Sequence, residues 1–499
     1  MVYAEVVRDD NLVVVIGSGP AGAAATVFLE AAGARVLLLE AGSEHAERGL
    51  TLRLRGLTVA KHRRALRQRA QVRRTGDAAA QLNEELAPGG LSNHWSCAVP
   101  RFSEADFEDA ARAGEAYAWP LGYADLAPWY DRVEPLLHVA GPSYGVPQLP
   151  AGRVRTAHGL DADWSGLVSV AERAGRAILP MPYAYGAEST VTFSGTVFNA
   201  FVRLVKPLLK SGRISARYNA RVVRLEWSRE KRRVEAVIFR DTLTGTEGRV
   251  PCRAVVVAAG AVNSAEVLLR SSSAEFPEGL GNTHGVLGRY LHDHPLGKLV
   301  IDMAAPISIH PATYITRLAL ERSQALYAAA GMQWSGAAIY AKSLLSRKPG
   351  RLPWIGYSVF GTMAPSRDNF VALSDPQNSA STDLDLHVQH EPEALKTLDD
   401  TKDQIITLLN DAGLGARTRI WHHEPVGNSN HYGGTVRMHA SPQYGMLDAF
   451  SRVYGVPNVM VADSAAFTTG PEKNPVLTAM ALAARGSDRL AADLRSGDL

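Results

Sequence analysis

The residues Gly17-Ser18-Gly19-Pro20-Ala21-Gly22 fit the spacing G-x-G-x-x-G, and Glu40 stands at the end of the next apolar run. Each position answers a need of dinucleotide binding. Gly17 permits a tight turn, Gly19 lets the backbone approach a pyrophosphate, and Gly22 lets a helix lie close to a strand. The N-terminus of that helix offers unpaired amides to phosphate, and the Glu40 carboxylate can accept hydrogen bonds from ribose hydroxyls. A glycine-rich turn without a ligand would show the same spacing. The surrounding frame favours the nucleotide: Leu12 to Ile16 reads as a strand, Ala21 to Ala32 as a helix closed by Gly33, and Val36 to Leu39 as a second strand. This is a βαβ unit. It does not decide between FAD and NAD.

The elements that must hold such a site run the length of the chain. Residues 46–79 are basic and Leu-rich and are expected to form a helical insertion. Tyr117 to Tyr144 reads as helix fragments and loops, and Asn199 to Leu209 as a helix. Ile214 to Trp227 and Val234 to Arg240 are expected to be strands of a small antiparallel element, and Ala254 to Ala259 a buried strand. From Leu299 to about Thr401 alternating segments such as Ala337 to Tyr340 and Leu384 to His387 suit an antiparallel sheet, and the chain ends in a long Ala-rich helix, Val476 to Leu494. The fold class expected is α/β, α+β overall. A Rossmann-like domain would comprise 1–45, 80–130, 190–298 and 430–499, and a second domain with an antiparallel sheet would comprise 131–189 and 299–429.

With 499 residues, 46% of them hydrophobic, the chain can bury a sizeable core. Lys and Arg number 53 against 50 Asp and Glu, a balance that gives no reason to expect a nucleic-acid partner. The run Lys61, His62, Arg63, Arg64, Arg67, Arg69, Arg73 and Arg74 is dense enough to make an electropositive surface, for which a solvated helix face is the plainer reading. Two cysteines, Cys97 and Cys252, provide no disulfide framework and no metal cluster, and imply a reducing compartment. Met1 to Asp10 lacks the basic and then apolar pattern of a secretory signal, and no stretch approaches the run of about 20 apolar residues that spans a bilayer. A soluble cytoplasmic protein without a membrane partner is therefore expected.

Gly89-Gly90-Leu91-Ser92-Asn93-His94-Trp95-Ser96-Cys97 resembles the flavin-contacting loop of the glucose-methanol-choline (GMC) oxidoreductases, and is especially similar to its form in pyranose 2-oxidases. Further matches follow in the family's order: Val255 to Gly260 continuing into Ala261-Val262-Asn263-Ser264, then Gly288-Arg289-Tyr290-Leu291-His292-Asp293-His294-Pro295. The last is His431-Tyr432-Gly433-Gly434-Thr435-Val436-Arg437-Met438, joined to Val461-Ala462-Asp463 and to Asn474-Pro475-Val476-Leu477-Thr478-Ala479-Met480. The likeness fades between about Leu299 and Trp421, the region that fixes what is oxidised.

The resemblance implies FAD in an architecture like that of p-hydroxybenzoate hydroxylase. It implies cofactor contacts at Gly17, Ser18, Gly19, Pro20, Ala21, Gly22, Glu40, Ala41, Ser92, Asn93, His94, Trp95, Ser96, Val223, Ala259, Asp463, Asn474, Pro475 and Val476. In pyranose 2-oxidases the His of this loop is bonded to the flavin 8α carbon. His94 either forms that bond or packs beside the dimethylbenzene ring, and both remain open because Leu91 and Asn93 depart from the fungal pattern. Ser96 suits a generic flavin contact, since a small hydroxyl near N5 can donate or accept.

The activity implied is oxidation of a secondary hydroxyl of a pyranose or glycoside, at C2 or C3, to a ketone. Hydride passes to flavin N5 and O₂ is reduced to H₂O₂. The resemblance puts His431 in the role of base, for which a neutral imidazole with an ordinary pKa of roughly 6.5 is suited. It makes Asn474 the partner that bonds the same hydroxyl. Gly470, Pro471 and Pro475 mark the start of the last helix, whose positive end would face the flavin; ordinary helix capping is the other role open to Asn474, and the two are compatible. Most of the 15 histidines must be structural, so His422, His423 and His439 are not promoted. Alternatives are a dehydrogenase that passes electrons to a quinone or protein, and a lyase in which FAD is only structural. Trp334, Trp354, Tyr340, Tyr357 and Arg367 could stack on or bond to a sugar, or belong to a core.

Overall fold

The computed structural model describes residues 11–43, 72–77, 80–81, 83–93, 95–185, 198–308, 313–318, 325–333, 351–376, 378, 381 and 383–499. At its centre the strand Leu12–Ile16 pairs in parallel with Arg35–Leu39 on one side and Ala254–Val257 on the other. Strand Ser215–Arg217 extends one edge and Val456–Val461 the other, with Arg452–Val453 turning back antiparallel beyond it. Val13, Val14 and Val15 are wholly buried, as a strand covered on both faces requires.

Helix Pro20–Ala31 begins at the end of the first strand, with Pro20 at a position where a missing N–H costs nothing. A Cβ on Gly22 would overlap the Gly17 carbonyl oxygen, so close approach of helix to strand demands glycine there. The last helix, Val476–Ser496, packs beside this one and is buried along most of its length. A three-stranded antiparallel sheet of Ala220–Ser228, Arg233–Asp241 and Glu247–Pro251 flanks the nucleotide domain, as the alternation expects. Tyr123–Leu137 forms one 15-residue helix where fragments were expected. Its buried Leu126, Tyr130, Val133 and Leu137 recur at helical spacing, and the Tyr130 hydroxyl lies 2.9 Å from Thr478 Oγ1 on the last helix.

The second sheet has six antiparallel strands in the order Ala416–His423, Leu296–Ser308, Arg351–Gly361, Ala329–Gln333, Thr313–Ile315 and Ile178–Pro180. Alternation divides its faces. Leu299, Ile301, Ile355, Tyr357 and Val359 pack with Leu398, Ile405, Leu408 and Leu409 of helix Pro392–Asp411. Leu296, Lys298, Met332, Ser358 and Phe360 lie on the opposite face and wall a cavity.

Two expectations are corrected. Val72–Gly76 is a strand, although the basic composition of 46–79 reads as helix; it pairs in parallel with Leu384–Val388, and Arg73 meets Asp385 across the register. The cross-strand ladder and this ion pair override local propensity. Leu384–Val388 in turn pairs with Phe370–Leu373 in a separate three-stranded sheet, not in the six-stranded one. The rest of the basic run, 61–69, and the segment Ala337 to Tyr340 lie outside the described residues.

A buried charge cluster joins the two halves. Lys473 Nζ is wholly buried, 2.9 Å from both carboxylate oxygens of Asp106 and 2.9 Å from Glu472 Oε1. Arg317 donates to Asp109 at 2.6 Å and lies 3.5 Å from Glu472, and the Tyr314 hydroxyl reaches the same Glu472 at 3.2 Å. Burial opposes ionisation of Glu472, and the charges of Lys473 and Arg317 overcome it, so its carboxyl stays well below the usual range. Lys473→Met would remove the buried cation that Asp106 and Glu472 share and is expected to cost about 3–5 kcal/mol. Arg73→Met removes an exposed cation and should stay within about 1 kcal/mol. Urea midpoints of the two variants with saturating FAD check this, and equal midpoints would show that the cluster contributes no more than a surface pair.

Candidate active site

A cavity of about 470 Å³ runs from the carboxyl ends of the parallel strands to the face of the six-stranded sheet. Gly17, Ser18, Gly19, Pro20, Ala21, Glu40 and Ala41 line its nucleotide end, and Ser92, Trp95, Ser96, Ala259 and Asp463 line its middle. His431, Asn474, Pro475 and Val476 line the part next to the sheet. Three of the residues expected at the cofactor fall elsewhere. Gly22 sits behind the wall, where it serves helix packing. Asn93 turns its amide into the loop, donating to Gly90 O at 2.8 Å and accepting from Asn199 Nδ2 at 2.8 Å. Val222 takes the place on the wall expected of Val223, because a register shift between Val222 and Arg224 changes which side chain faces inward. His94 lies outside the described residues, as do Trp334 and Tyr340.

At the nucleotide end Glu40 accepts from Ser18 N at 3.2 Å, from the Ser18 hydroxyl and from Gly42 N at 2.7 Å, and burial raises its pKa. Asp463 accepts from Gly260 N at 2.9 Å, Ser264 Oγ at 2.6 Å and Ala465 N at 2.8 Å, which ties three segments of the wall together. The last helix starts at Val476, so its positive end opens onto the cavity.

His431 is held from three sides. Its backbone N–H donates to Asp293 Oδ1 at 2.7 Å, and Gly427 N donates to Asp293 Oδ2 at 2.9 Å, so one buried carboxylate fixes the loop that carries it. The Phe360 ring stacks on it, with centroids 5.4 Å apart and planes 28° from parallel. Its Nδ1 lies 2.8 Å from His294 Nδ1, and its Nε2 3.3 Å from Asn474 Nδ2. An amide nitrogen only donates, so His431 Nε2 is an acceptor and the ring proton is on Nδ1. That proton is donated to His294 Nδ1. His294 then carries its own proton on Nε2, which lies against Gly470 and Pro471, where the Pro471 carbonyl accepts it. Burial foremost, with the neighbouring His294 and Lys298 next, draws the His431 pKa well below its ordinary value. The result is a neutral imidazole with a lone pair on the cavity wall, beside an amide able to bond the same oxygen.

Of the residues considered for sugar contact, Tyr357 is buried in the core on the far face of the sheet, and Arg367 is exposed and donates to Gly285 O at 3.0 Å. Trp354 is half-buried and off the wall. The wall is built instead from Leu296, Lys298, Met332, Ser358 and Phe360, whose alternation shows in the sequence but whose face does not.

The FAD binding domain model matches residues 10–97, and the GMC oxidoreductase model matches residues 365–483, which include His431 and Asn474. Over these segments the chain is similar to the GMC oxidoreductases. It is 28% identical to paromamine 6'-oxidase of Streptomyces fradiae over 98% of this chain and 93% of that one. It is 26% identical to 2-methyl-1,2-propanediol dehydrogenase of Mycolicibacterium austroafricanum over 96% and 95% of the two chains. With C-glycoside 3-oxidase of Microbacterium trichothecenolyticum it shares 27% identity over 54% of this chain and 53% of that one.

The cofactor of the protein is FAD, and the residues present fit it. A Cβ on Gly19 would stand in open space at the wall, the room a pyrophosphate needs over the helix start. Glu40 is buried where ribose hydroxyls would share its carboxylate. Among the described residues no helix is long and apolar enough to cross a membrane.

Burial foremost lowers His292, His294 and His390 to about 3, 4 and 4. These three and His431 bind protons more weakly folded than unfolded, so the stability they contribute is whole above about pH 6.5 and is lost as pH falls toward 4. Asp293, pushed up to about 6 by burial, acts in the opposite sense between roughly pH 4 and 6. The four histidines outweigh it, each costing up to about 1.4 kcal/mol per pH unit. The melting temperature of the FAD-loaded protein should therefore fall as pH is lowered from 6.5 to 4. A temperature that stays level or rises would mean that these rings are charged in the folded chain.

Proposed function

We propose that the protein oxidises a secondary hydroxyl of a sugar or glycoside, at C2 or C3, to a ketone, with O₂ as the final acceptor and H₂O₂ as product. Bound FAD supplies the hydride acceptor, N5 of its flavin ring. His431 Nε2 takes the hydroxyl proton, so that the carbon releases hydride as oxygen is deprotonated. Asn474 holds the same oxygen through its amide, and the ring stack of Phe360 with the Asp293-held loop keeps the imidazole in place. The observation that carries this reading is the bonding chain Pro471, His294, His431 and Asn474, which leaves Nε2 as the acceptor inside the cavity. The oxidase names of two relatives support O₂, and the dehydrogenase name of the third supports a different acceptor.

A second reading concerns the carbon. Similarity to a 6'-oxidase extends over nearly the whole chain, and that to a 3-oxidase over about half of it, which favours the exocyclic position of a hexose. NMR of the product from a methyl glycoside separates an aldehyde at C6 from a ketone on the ring.

His431→Ala should lower the anaerobic flavin-reduction rate by roughly 10²- to 10⁴-fold while FAD content is unchanged. Asn474→Ala should cost less, because the proton still has an acceptor. The double variant should lose less than the two single losses added as free energies, since both residues serve one hydroxyl. Stopped-flow reduction by a panel of pyranoses and glycosides measures this, with peroxide release on admitting air. A His431→Ala rate within a few-fold of the parent would place the base elsewhere, and a flavin that no sugar reduces would remove the reading.

A further inference from the structure

Lys298 has no part in the proton step, yet its side chain points into the chamber where the oxidised hydroxyl must sit. It stands on strand Leu296–Ser308 directly across from Ser358, and donates to Ser358 Oγ at 2.8 Å. Its wall neighbours are Leu296, Met332, Ser358 and Phe360, and Phe360 stacks on His431. The cations on the described cavity wall are Lys298 and Arg221, and Arg221 is ion-paired with Glu266 at 3.0 Å. Glu424 attracts the Lys298 ammonium from a distance, but its own oxygens are taken by His422 Nε2 at 3.1 Å and Asn428 Nδ2 at 2.6 Å. An ammonium has three donors, and Ser358 uses one. Burial lowers the Lys298 pKa, so the charged form gains most from a ligand that brings a negative charge.

We infer that Lys298 is a specificity residue that selects sugars bearing a carboxylate and rejects sugars bearing an amine. This rests on the sugar-oxidising reading above and deepens it. The ammonium would bond the carboxylate by charge-assisted hydrogen bonds, whereas a protonated amine in the same chamber would meet like charge in a mostly apolar enclosure.

The test mixes FAD-loaded protein anaerobically with methyl glucoside, methyl glucuronide and methyl 6-amino-6-deoxyglucoside. The flavin absorbance change in the first milliseconds gives each dissociation constant, and the slower bleaching gives each reduction rate. The parent should bind the glucuronide roughly 10- to 100-fold more tightly than the amino sugar, with the glucoside between them. Lys298→Met should bring the three within a few-fold. Lys298→Gln, which keeps a hydrogen-bond donor, should do the same and serves where the methionine variant fails to retain FAD. Equal or better binding of the amino sugar by the parent, or an unchanged order in the variants, overturns the inference. Charge-ordered binding without bleaching would leave Lys298 in its role and remove sugar oxidation. Bleaching without charge order would do the reverse.

Discussion

The Lys473 ammonium, sealed between Asp106 and Glu472, is the contact on which the geometry of the site depends. It is the residue before Asn474, and stands three residues before Val476, where the last helix begins and offers its positive end to the cavity. Glu472 on its other side is gripped by Arg317 and Tyr314, which follow and belong to a strand of the six-stranded sheet. One cluster therefore sets the amide beside the base, the helix terminus at the cofactor and the sheet that walls the substrate chamber. Buried ion pairs are seldom a net gain in stability over apolar packing. Here the directional demands of the charges supply register between the start of the last helix and the six-stranded sheet, which apolar contacts alone would leave looser.

Asp293 does for His431 what Lys473 does for Asn474. Its carboxylate gathers the backbone amides of Gly427 and His431, with the Ser429 hydroxyl, into one buried knot, and the following residue, His294, receives the His431 ring proton. Adjacent residues thus fix the position of the imidazole and its tautomer separately. Both functions need low dielectric surroundings, which strengthen the hydrogen bonds and at the same time keep the rings neutral.

How much of this could be read from the chain follows from the range of each constraint. The turn from Gly17 to Gly22 is local: the clash a side chain would meet at Gly22 arises within six residues, so spacing alone points to it. His431, Asn474 and Asp463 lie in segments whose order along the chain resembles the family, and the structure brings them to one cavity although they come from separate elements. Lys298, Ser358 and Phe360 escape such a reading because they meet only through the register of two strands some 60 residues apart in sequence. Alternation shows which residues share a face, but not which face helix Pro392–Asp411 will cover, and so Tyr357 reads as well for a sugar contact as for the core it occupies. Val223 and Val222 differ by a strand bulge, and Val72–Gly76 becomes a strand because Leu384–Val388 lies beside it. Neither cause is visible near those residues in the chain.

The chamber also couples recognition to basicity. Lys298 is one of the charges that depress the proton affinity of His431, after burial and His294. A cation close to the reacting hydroxyl weakens the base and in the same measure stabilises the alkoxide that the base creates. If the ligand brings a carboxylate to Lys298, that charge is neutralised, and His431 recovers affinity for the proton it must accept. A substrate with an amine would add a second cation and depress the base further, so the wrong ligand would be slowed in chemistry as well as in binding. The arrangement thus lets a single ammonium, outside the proton path, discriminate at both steps.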